Sequence, residues 1–223
     1  MTLTVSASAA NSEFKVQLTF MVARMTIFRF TVGAGLLGWA LLVQAAGNPE
    51  EGKEKAAACG GCHGEDGNSA APIFPKLAGQ HPSYLYKQLN DFKTQKRIEP
   101  TMNAMAEPLT EDDMQDIAAF YSSQKPAAET GAANAAGEKL FRAGNHETGV
   151  PACTGCHSPD GSGNPQANFP MLRSQYAAYV EKTLQDFKAG ERGNDMNAMM
   201  RTVAAKLSEA EITAVAEFIA TQK

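Results

Sequence analysis

Two short stretches decide the fold, Cys59-Gly60-Gly61-Cys62-His63 and Cys153-Thr154-Gly155-Cys156-His157, and together they contain all four cysteines of the chain. Both have the spacing Cys-x-x-Cys-His, which is typical of c-type haem attachment. Two thiols three positions apart on a helical turn can each add to one vinyl group of the same porphyrin, and the adjacent histidine then faces the iron. We therefore predict two covalently bound haems. The predicted attachment residues are Cys59, Cys62, Cys153 and Cys156, and the predicted histidine ligands of iron are His63 and His157.

Paired cysteines also occur in other kinds of site. The two pairs together match a four-cysteine zinc site, and each pair alone matches a redox dithiol or a disulfide. A shared zinc leaves the histidine after each pair unexplained, and a thioredoxin-type dithiol needs a βαβ setting that this sequence lacks. Two matching pentapeptides therefore favour haem over these alternatives.

The segments that follow the two motifs repeat each other. Phe74-Pro75-Lys76-Leu77 recurs 95 residues later as Phe169-Pro170-Met171-Leu172, and Asp91-Phe92-Lys93 recurs at the same offset as Asp186-Phe187-Lys188. Towards the end of each copy the offset grows to 98. The repeat predicts two copies of one structural unit.

Each copy has helical periodicity, with apolar residues three and four positions apart. The spacing of Thr110 with Asp113, and of Ser208 with Glu211, predicts a capping box at the start of the last helix of each copy. No stretch alternates as a strand would, so we predict an all-α chain of two tandem domains. The predicted boundaries are a leader over 1–46, a first domain over 47–125, an Ala-rich linker over 126–136 and a second domain over 137–223.

Methionines downstream of each motif are candidates for the second axial ligand. A thioether opposite a histidine is common in electron-transfer cytochromes and raises the reduction potential. Met102 and Met200 stand eight residues before the predicted helix caps, so we predict that these two bind iron. The region Met196-Asn197-Ala198-Met199-Met200 contains neighbouring thioethers, and Met199 is the alternative to Met200. The same reasoning predicts packing roles for Met105 and Met196, and for Met199 where it does not bind iron.

Two histidines and two prolines lie outside the motifs. His81 precedes a predicted helix and His146 lies in a Gly/Asn-rich loop, and we predict that both are solvated, with iron ligation as the alternative. Pro75 and Pro170 follow the motif histidines by 12 and 13 residues. Their carbonyls are candidates to accept the Nδ1 proton of the ligating imidazole, with a plain helix-entry turn as the alternative.

The N-terminus predicts export. After Met25, Arg29 precedes an apolar run over 31–43, and Val43-Gln44-Ala45 resembles a signal-peptide cleavage site. The run is shorter than the ~20 residues that span a bilayer, so we predict a cleaved signal peptide and an exported protein. Residues 1–24 are either an extended leader or the result of a start codon placed before a true start at Met25.

Composition excludes one class of partner. The chain has 223 residues, of which 43% are hydrophobic and 20% are charged, as expected of globular material divided into two small domains. Residues 47–223 contain 17 basic and 23 acidic side chains. A net negative charge argues against nucleic acid, because phosphate binding requires a basic surface.

These motifs together resemble the dihaem cytochrome c4 family. The resemblance rests on the tandem Cys-x-x-Cys-His domains, the Phe-Pro-x-Leu segments, the methionine regions and the capped last helices, and it covers 47–223. It implies two class I cytochrome c folds packed face to face about a pseudo-twofold axis, with haem propionates near each other. It also implies a periplasmic electron carrier, with possible peripheral membrane association, that serves membrane respiratory complexes such as a terminal oxidase.

The expected function is electron transport without enzymatic catalysis. The alternative is a dihaem redox enzyme, peroxidase-like or sulfur-compound-oxidising, which needs one iron with an open coordination position. A methionine in both copies favours the carrier. The first domain, 8 basic against 12 acidic residues, is more negative than the remainder, 9 against 11, which predicts that redox partners distinguish the two ends.

Overall fold

The structure, a computed structural model, describes residues 47–223. The leader predicted over 1–46, with its alternative start at Met25, lies outside the described residues. Within 47–223 the regular secondary structure is helical, and β pairing is confined to the isolated bridges Asn145–Val150 and Asn164–Phe169. This confirms the all-α prediction. No helix in the same range is both long and apolar enough to cross a bilayer.

The helices follow the sequence repeat. Those of the first half are α1 (Pro49–Lys55), α2 (Gly60–His63), α3 (Pro82–Lys93), α4 (Pro100–Ala106) and α5 (Glu111–Ser123), with a 3₁₀ turn over Ala56–Ala58. Those of the second half are α6 (Ala135–Ala143), α7 (Thr154–His157), α8 (Ala177–Ala189), α9 (Met199–Ala204) and α10 (Glu209–Thr221), with a 3₁₀ turn over Met196–Ala198. Helix α6 begins inside the predicted linker, 126–136.

In each half the first helix crosses the last helix at a glycine. A Cβ atom on Gly52 of α1 would lie 1.9 Å from the carbonyl oxygen of Asp116 in α5, and one on Gly137 of α6 would lie 1.9 Å from that of Ala214 in α10. No side chain fits at these distances. The close crossing therefore depends on glycine at both positions.

The last helices begin and pack as their sequences predict. The Thr110–Asp113 and Ser208–Glu211 pairs both form complete capping boxes, which confirms that prediction. Helix α5 then supplies four of the six residues of the first apolar core, and α10 supplies five of the eleven residues of the second. The first core contains Ala56, Leu85, Ile117, Ala118, Phe120 and Tyr121. The second contains Leu140, Phe141, Val150, Val180, Leu184, Leu207, Ile212, Val215, Ala216, Phe218 and Ile219.

Two glutamines join the halves through reciprocal hydrogen bonds. The Gln80 amide donates to the carbonyl oxygen of Met171 and accepts from its N–H, both at 2.9 Å. The Gln175 amide makes the same two bonds to the backbone of Lys76, also at 2.9 Å. Gln80 and Gln175 are 95 residues apart, and so are Lys76 and Met171. Exchanging the two halves therefore turns each set of bonds into the other. This is the pseudo-twofold symmetry that the family resemblance implies.

Two arginines extend the same symmetry. Arg97 donates to the hydroxyl of Tyr179, and Arg192 donates to the hydroxyl of Tyr84, each at 3.0 Å. The side-chain oxygen of Gln88 accepts from both guanidinium groups, at 3.0 and 3.1 Å. The two halves therefore meet through a largely polar and directional set of contacts.

Candidate functional site

The motif histidines occupy equivalent positions at the ends of α2 and α7. His63 Nδ1 lies 2.9 Å from the carbonyl oxygen of Pro75, and His157 Nδ1 lies 2.9 Å from that of Pro170. Both histidines are only 7% exposed. Donation from Nδ1 fixes the ring orientation and reserves Nε2 for a metal. The prediction that these proline carbonyls orient the imidazoles is confirmed.

The protonation state of the histidines suits metal binding. Burial lowers the pKa of His63, and its hydrogen bond to the Pro75 carbonyl offsets part of this effect. Burial also lowers the pKa of His157, and its hydrogen bond to the Pro170 carbonyl offsets part of this effect. Both imidazoles are therefore neutral near pH 7, which is the form that coordinates iron.

The cysteines are arranged by one helical turn in each half. The N–H groups of Cys62 and His63 both donate to the Cys59 carbonyl, at 3.2 and 3.0 Å. Cys156 and His157 repeat this with Cys153, at 3.2 and 2.9 Å. The first cysteine of each motif packs against the core of its half, whereas the second is exposed. No disulfide links these four residues.

The arrangement of the thiols fits haem attachment better than a shared zinc site. Burial raises the pKa of Cys59, and it raises the pKa of Cys153 to about 11. Within 47–223, no three His, Cys, Asp or Glu side chains gather into a metal-binding cluster. The shared four-cysteine site is thus not formed, and the donor set fits one haem in each half.

The predicted methionine ligands lie on short helices of matching position. Met102 lies in the first turn of α4, where its N–H donates to the Glu99 carboxylate at 2.7 Å. Met200 lies at the start of α9 and packs against the second core. Met105 and Met196 are 39% and 52% exposed, so the packing role predicted for these two is wrong. Both side chains lie at the surface of the protein chain.

The change of offset in the repeat has a structural cause. The 3₁₀ turn over Met196–Ala198 adds three residues immediately before α9. Asn197 and Ala198 adopt left-handed backbone conformations, with φ of 52° and 56°, which non-glycine residues seldom occupy. The Asp195 carboxylate accepts from the N–H and the guanidinium of Arg201, at 3.0 and 2.7 Å. These bonds hold the turn, after which α9 begins at Met199.

The remaining histidines differ from each other. His146 is exposed, as predicted. The prediction that His81 is solvated is wrong, because its Nε2 lies 2.7 Å from the Ser162 carbonyl oxygen of the other half. Tyr176, at the matching position, donates from its hydroxyl to the carbonyl oxygen of Ser69. His81 and Tyr176 are therefore interface residues, and neither is placed as a rival ligand.

Sequence reasoning missed the arginine–tyrosine contacts between the halves. Burial alone would raise the pKa of Tyr179, but the positive charges of Arg97 and Arg192 outweigh it and lower the pKa to about 8. The signal was present in the repeat, since Arg97 and Arg192, like Tyr84 and Tyr179, are 95 residues apart. Polar residues that share the repeat offset are thus candidates for an interface.

Comparisons with known proteins agree with this geometry. The sequence model of the family Cytochrome c matches residues 49–125 and 134–223. Cytochrome c4 of Stutzerimonas stutzeri is 50% identical over 199 residues, which cover 82% of this chain and 93% of that protein. The thiosulfate dehydrogenase electron acceptor of Thiomonas intermedia (strain K12) is 38% identical, covering 91% of this chain and 93% of that protein.

A solved structure shares the fold. The crystal structure of reduced recombinant cytochrome c4 from Pseudomonas stutzeri has a TM-score of 0.76 and 48% sequence identity. The match covers 80% of this chain and 100% of that one. The tandem arrangement of the two halves is therefore shared with a relative over its whole length.

Proposed function

Because this chain belongs to the dihaem cytochrome c4 family, we propose that it carries single electrons in the periplasm between respiratory partners, toward a terminal oxidase. The family establishes a dihaem c-type electron carrier, whereas the partners and the compartment are our proposal. The observation that supports it most strongly is the repetition of one site. Each half has a buried neutral imidazole oriented by a proline carbonyl, followed by a methionine on a short helix.

The proposed ligands explain why electron transfer would be fast. When bound, haem supplies a one-electron iron couple to each half. His63 and Met102 would hold one iron, and His157 and Met200 the other, in both oxidation states. Since Pro75 and Pro170 fix the imidazoles by hydrogen bonds, little of the chain has to move when an electron arrives.

The contacts between the halves suit transfer from one site to the other. Reciprocal hydrogen bonds from Gln80 and Gln175 hold the two halves in a fixed relative orientation. Arg97 and Arg192 supply positive charge at the interface where the family resemblance places the haem propionates. An electron that enters at one half can then leave at the other, so that the protein bridges two partners.

The charge distribution and one relative support the nature of the partners. The more negative first half would meet a partner with a basic surface, through a small transient interface. The relative named as a thiosulfate dehydrogenase electron acceptor supports a sulfur-compound dehydrogenase as electron donor. Transfer rates with a physiological partner should fall as ionic strength rises. Rates that are independent of salt would exclude electrostatic steering.

The export proposal rests on the sequence over 25–45. Cell fractionation should place the red protein in the periplasm, with a fraction released from membranes by salt if the association is peripheral. Mass spectrometry of the mature chain should find an N-terminus close to residue 46. A mature chain that retains residues 25–45 would overturn cleavage.

The ligand assignment can be tested with matched methionine variants. Met102→Ala and Met200→Ala should each convert one haem from low spin to high spin, as followed by optical and EPR spectra. Met105→Ala and Met196→Ala remove exposed thioethers and should leave both haems low-spin. Loss of ligation in Met199→Ala, with retention in Met200→Ala, would move the second ligand by one residue.

Carbon monoxide separates the carrier from the dihaem enzyme. If both irons keep a methionine, the reduced native protein should not bind carbon monoxide, whereas Met102→Ala should bind it. Binding at one haem of the native protein would favour the enzyme with an open iron.

A further inference from the structure

We infer that the hydroxyl group of Tyr121 makes the two haem sites unequal, by lowering the reduction potential of the haem held by Cys59 and Cys62. This inference deepens the proposed function and rests on it, because it names the residue that decides which half holds the electron. It depends on one buried oxygen atom and on its absence from the matching position of the second half.

The Tyr121 hydroxyl is a buried polar group without a hydrogen-bond partner among the described residues. The residue is 1% exposed, and its oxygen forms no hydrogen bond with any described residue between 47 and 223. Buried hydroxyl groups nearly always have a partner, because burial removes the hydrogen bonds that water would make. An unpaired group that persists in a core therefore calls for a functional explanation.

The position of Tyr121 relates this hydroxyl to the first haem. The side chain belongs to the core cluster that includes Leu85 and Phe120, and the partly buried Cys59 packs against the same cluster. A Cβ atom on Gly67 would lie 2.7 Å from the edge of the Tyr121 ring, so the ring is closely confined on that side. The hydroxyl thus lies in the core that carries one of the two attachment cysteines.

The second half offers a matched site without the hydroxyl. Ile219 lies 98 residues after Tyr121 and belongs to the core against which Cys153 packs. The backbone of both residues plays the same role: the Tyr121 carbonyl accepts from Gly79 at 2.9 Å, and the Ile219 carbonyl accepts from Ser174 at 3.2 Å. Tyr121 has a polar hydroxyl, whereas the side chain of Ile219 is apolar, so only the first half has a hydroxyl dipole at this position.

The physical effect of such a dipole has a definite sign. Burial raises the pKa of the Tyr121 hydroxyl, so that it stays neutral. Since no group within 47–223 fixes its proton, the O–H bond can rotate so that its hydrogen points away from a positive charge and the lone pairs of the oxygen face it. The oxidised haem carries one more positive charge than the reduced haem, and a dipole acts strongly in an interior of low dielectric constant. The oxidised state of the first haem is thereby favoured, and its potential falls.

The test is a potentiometric titration of the full-length dihaem protein carrying Tyr121→Phe. This variant keeps the ring and removes the oxygen, so it should fold. We expect one of the two midpoint potentials to rise while the other is unchanged, with the shifted haem identified by its resonances in Met102→Ala and Met200→Ala reference spectra. The matched control is Tyr86→Phe, which removes a hydroxyl from the same half, where it donates to Glu111 at 2.8 Å near the surface. That control should leave both potentials unchanged.

The outcomes are separable from those that test the proposed function. If both potentials are unchanged in Tyr121→Phe, or if both shift equally, the inference is wrong even though two low-spin haems remain. A downward shift of the first potential would also overturn it. A stability gain with no change in potential would assign the hydroxyl a structural effect alone.

Discussion

Replacement of either interface glutamine, Gln80 or Gln175, with alanine should lower the free energy of unfolding far more than the small size of the lost side chain indicates. In Gln80→Ala, three backbone groups lose their partners: the N–H and C=O of Met171 and the N–H of His81. An unsatisfied buried group costs about 1–3 kcal/mol. Since water can enter the space left by the amide, we take about 1 kcal/mol for each group and expect a loss of about 3 kcal/mol.

The pseudo-twofold partner provides an internal check on this magnitude. Gln175→Ala exposes the N–H and C=O of Lys76 and the N–H of Tyr176 in the same way. Gln80 is 6% exposed, whereas Gln175 is only partly buried, so the second variant should lose somewhat less. Gln185→Ala, at an exposed site with one long hydrogen bond to Glu209, should change stability by no more than about 0.5 kcal/mol.

The assay is urea unfolding of the holoprotein, followed by circular dichroism and by the absorbance of the haems. We expect both interface variants to have lower midpoints and to unfold less cooperatively, because the two halves lose their mutual support. If Gln80→Ala unfolds at the same urea concentration as Gln185→Ala, the reciprocal bonds do not join the halves in solution.

Two further changes test the helix contacts. Gly52→Ala should lower the free energy of unfolding by about 2 kcal/mol or more, because its Cβ meets a backbone oxygen at 1.9 Å. Gly61→Ala, whose Cβ has nothing within 4 Å, should have little effect on thermal unfolding. Equal melting temperatures for the two variants would refute the close crossing. Hydrogen bonds from Thr110 lower the pKa of Asp113 from 3.8 to about 2, so its stabilising effect should be complete above about pH 4 and lost as pH falls through 2. Thr110→Ala should lower the free energy of unfolding by about 1 kcal/mol at neutral pH and make it fall less steeply as the solution becomes acid. An unchanged dependence of stability on pH in acid would count against the pairing of Thr110 with Asp113.

The sequence predicted the parts of the site that depend on local chemistry. A Cys-x-x-Cys-His motif places its thiols and imidazole through one helical turn, so the spacing alone is informative. The capping pairs Thr110–Asp113 and Ser208–Glu211 are local in the same sense. Pro75 and Pro170 were identified because the repeat keeps them at nearly equal distances from the histidines.

Features that depend on distant contacts were less accessible. Helix α1 contains no large apolar residue and is held by the crossing at Gly52, which periodicity does not detect. His81 looked like a solvated residue because its partner, the Ser162 carbonyl, lies 81 residues away in the other half. The turn before α9 depends on the Asp195 carboxylate binding Arg201, a contact that periodicity does not reveal, and the choice between Met199 and Met200 as iron ligand stays a prediction.

The most direct test is an EPR-monitored redox titration of the native holoprotein. If each half holds iron between a histidine and a methionine, the oxidised protein should show two low-spin haems and no high-spin signal, and each should accept one electron. A high-spin haem in the native protein, or a single redox-active centre, would contradict the account.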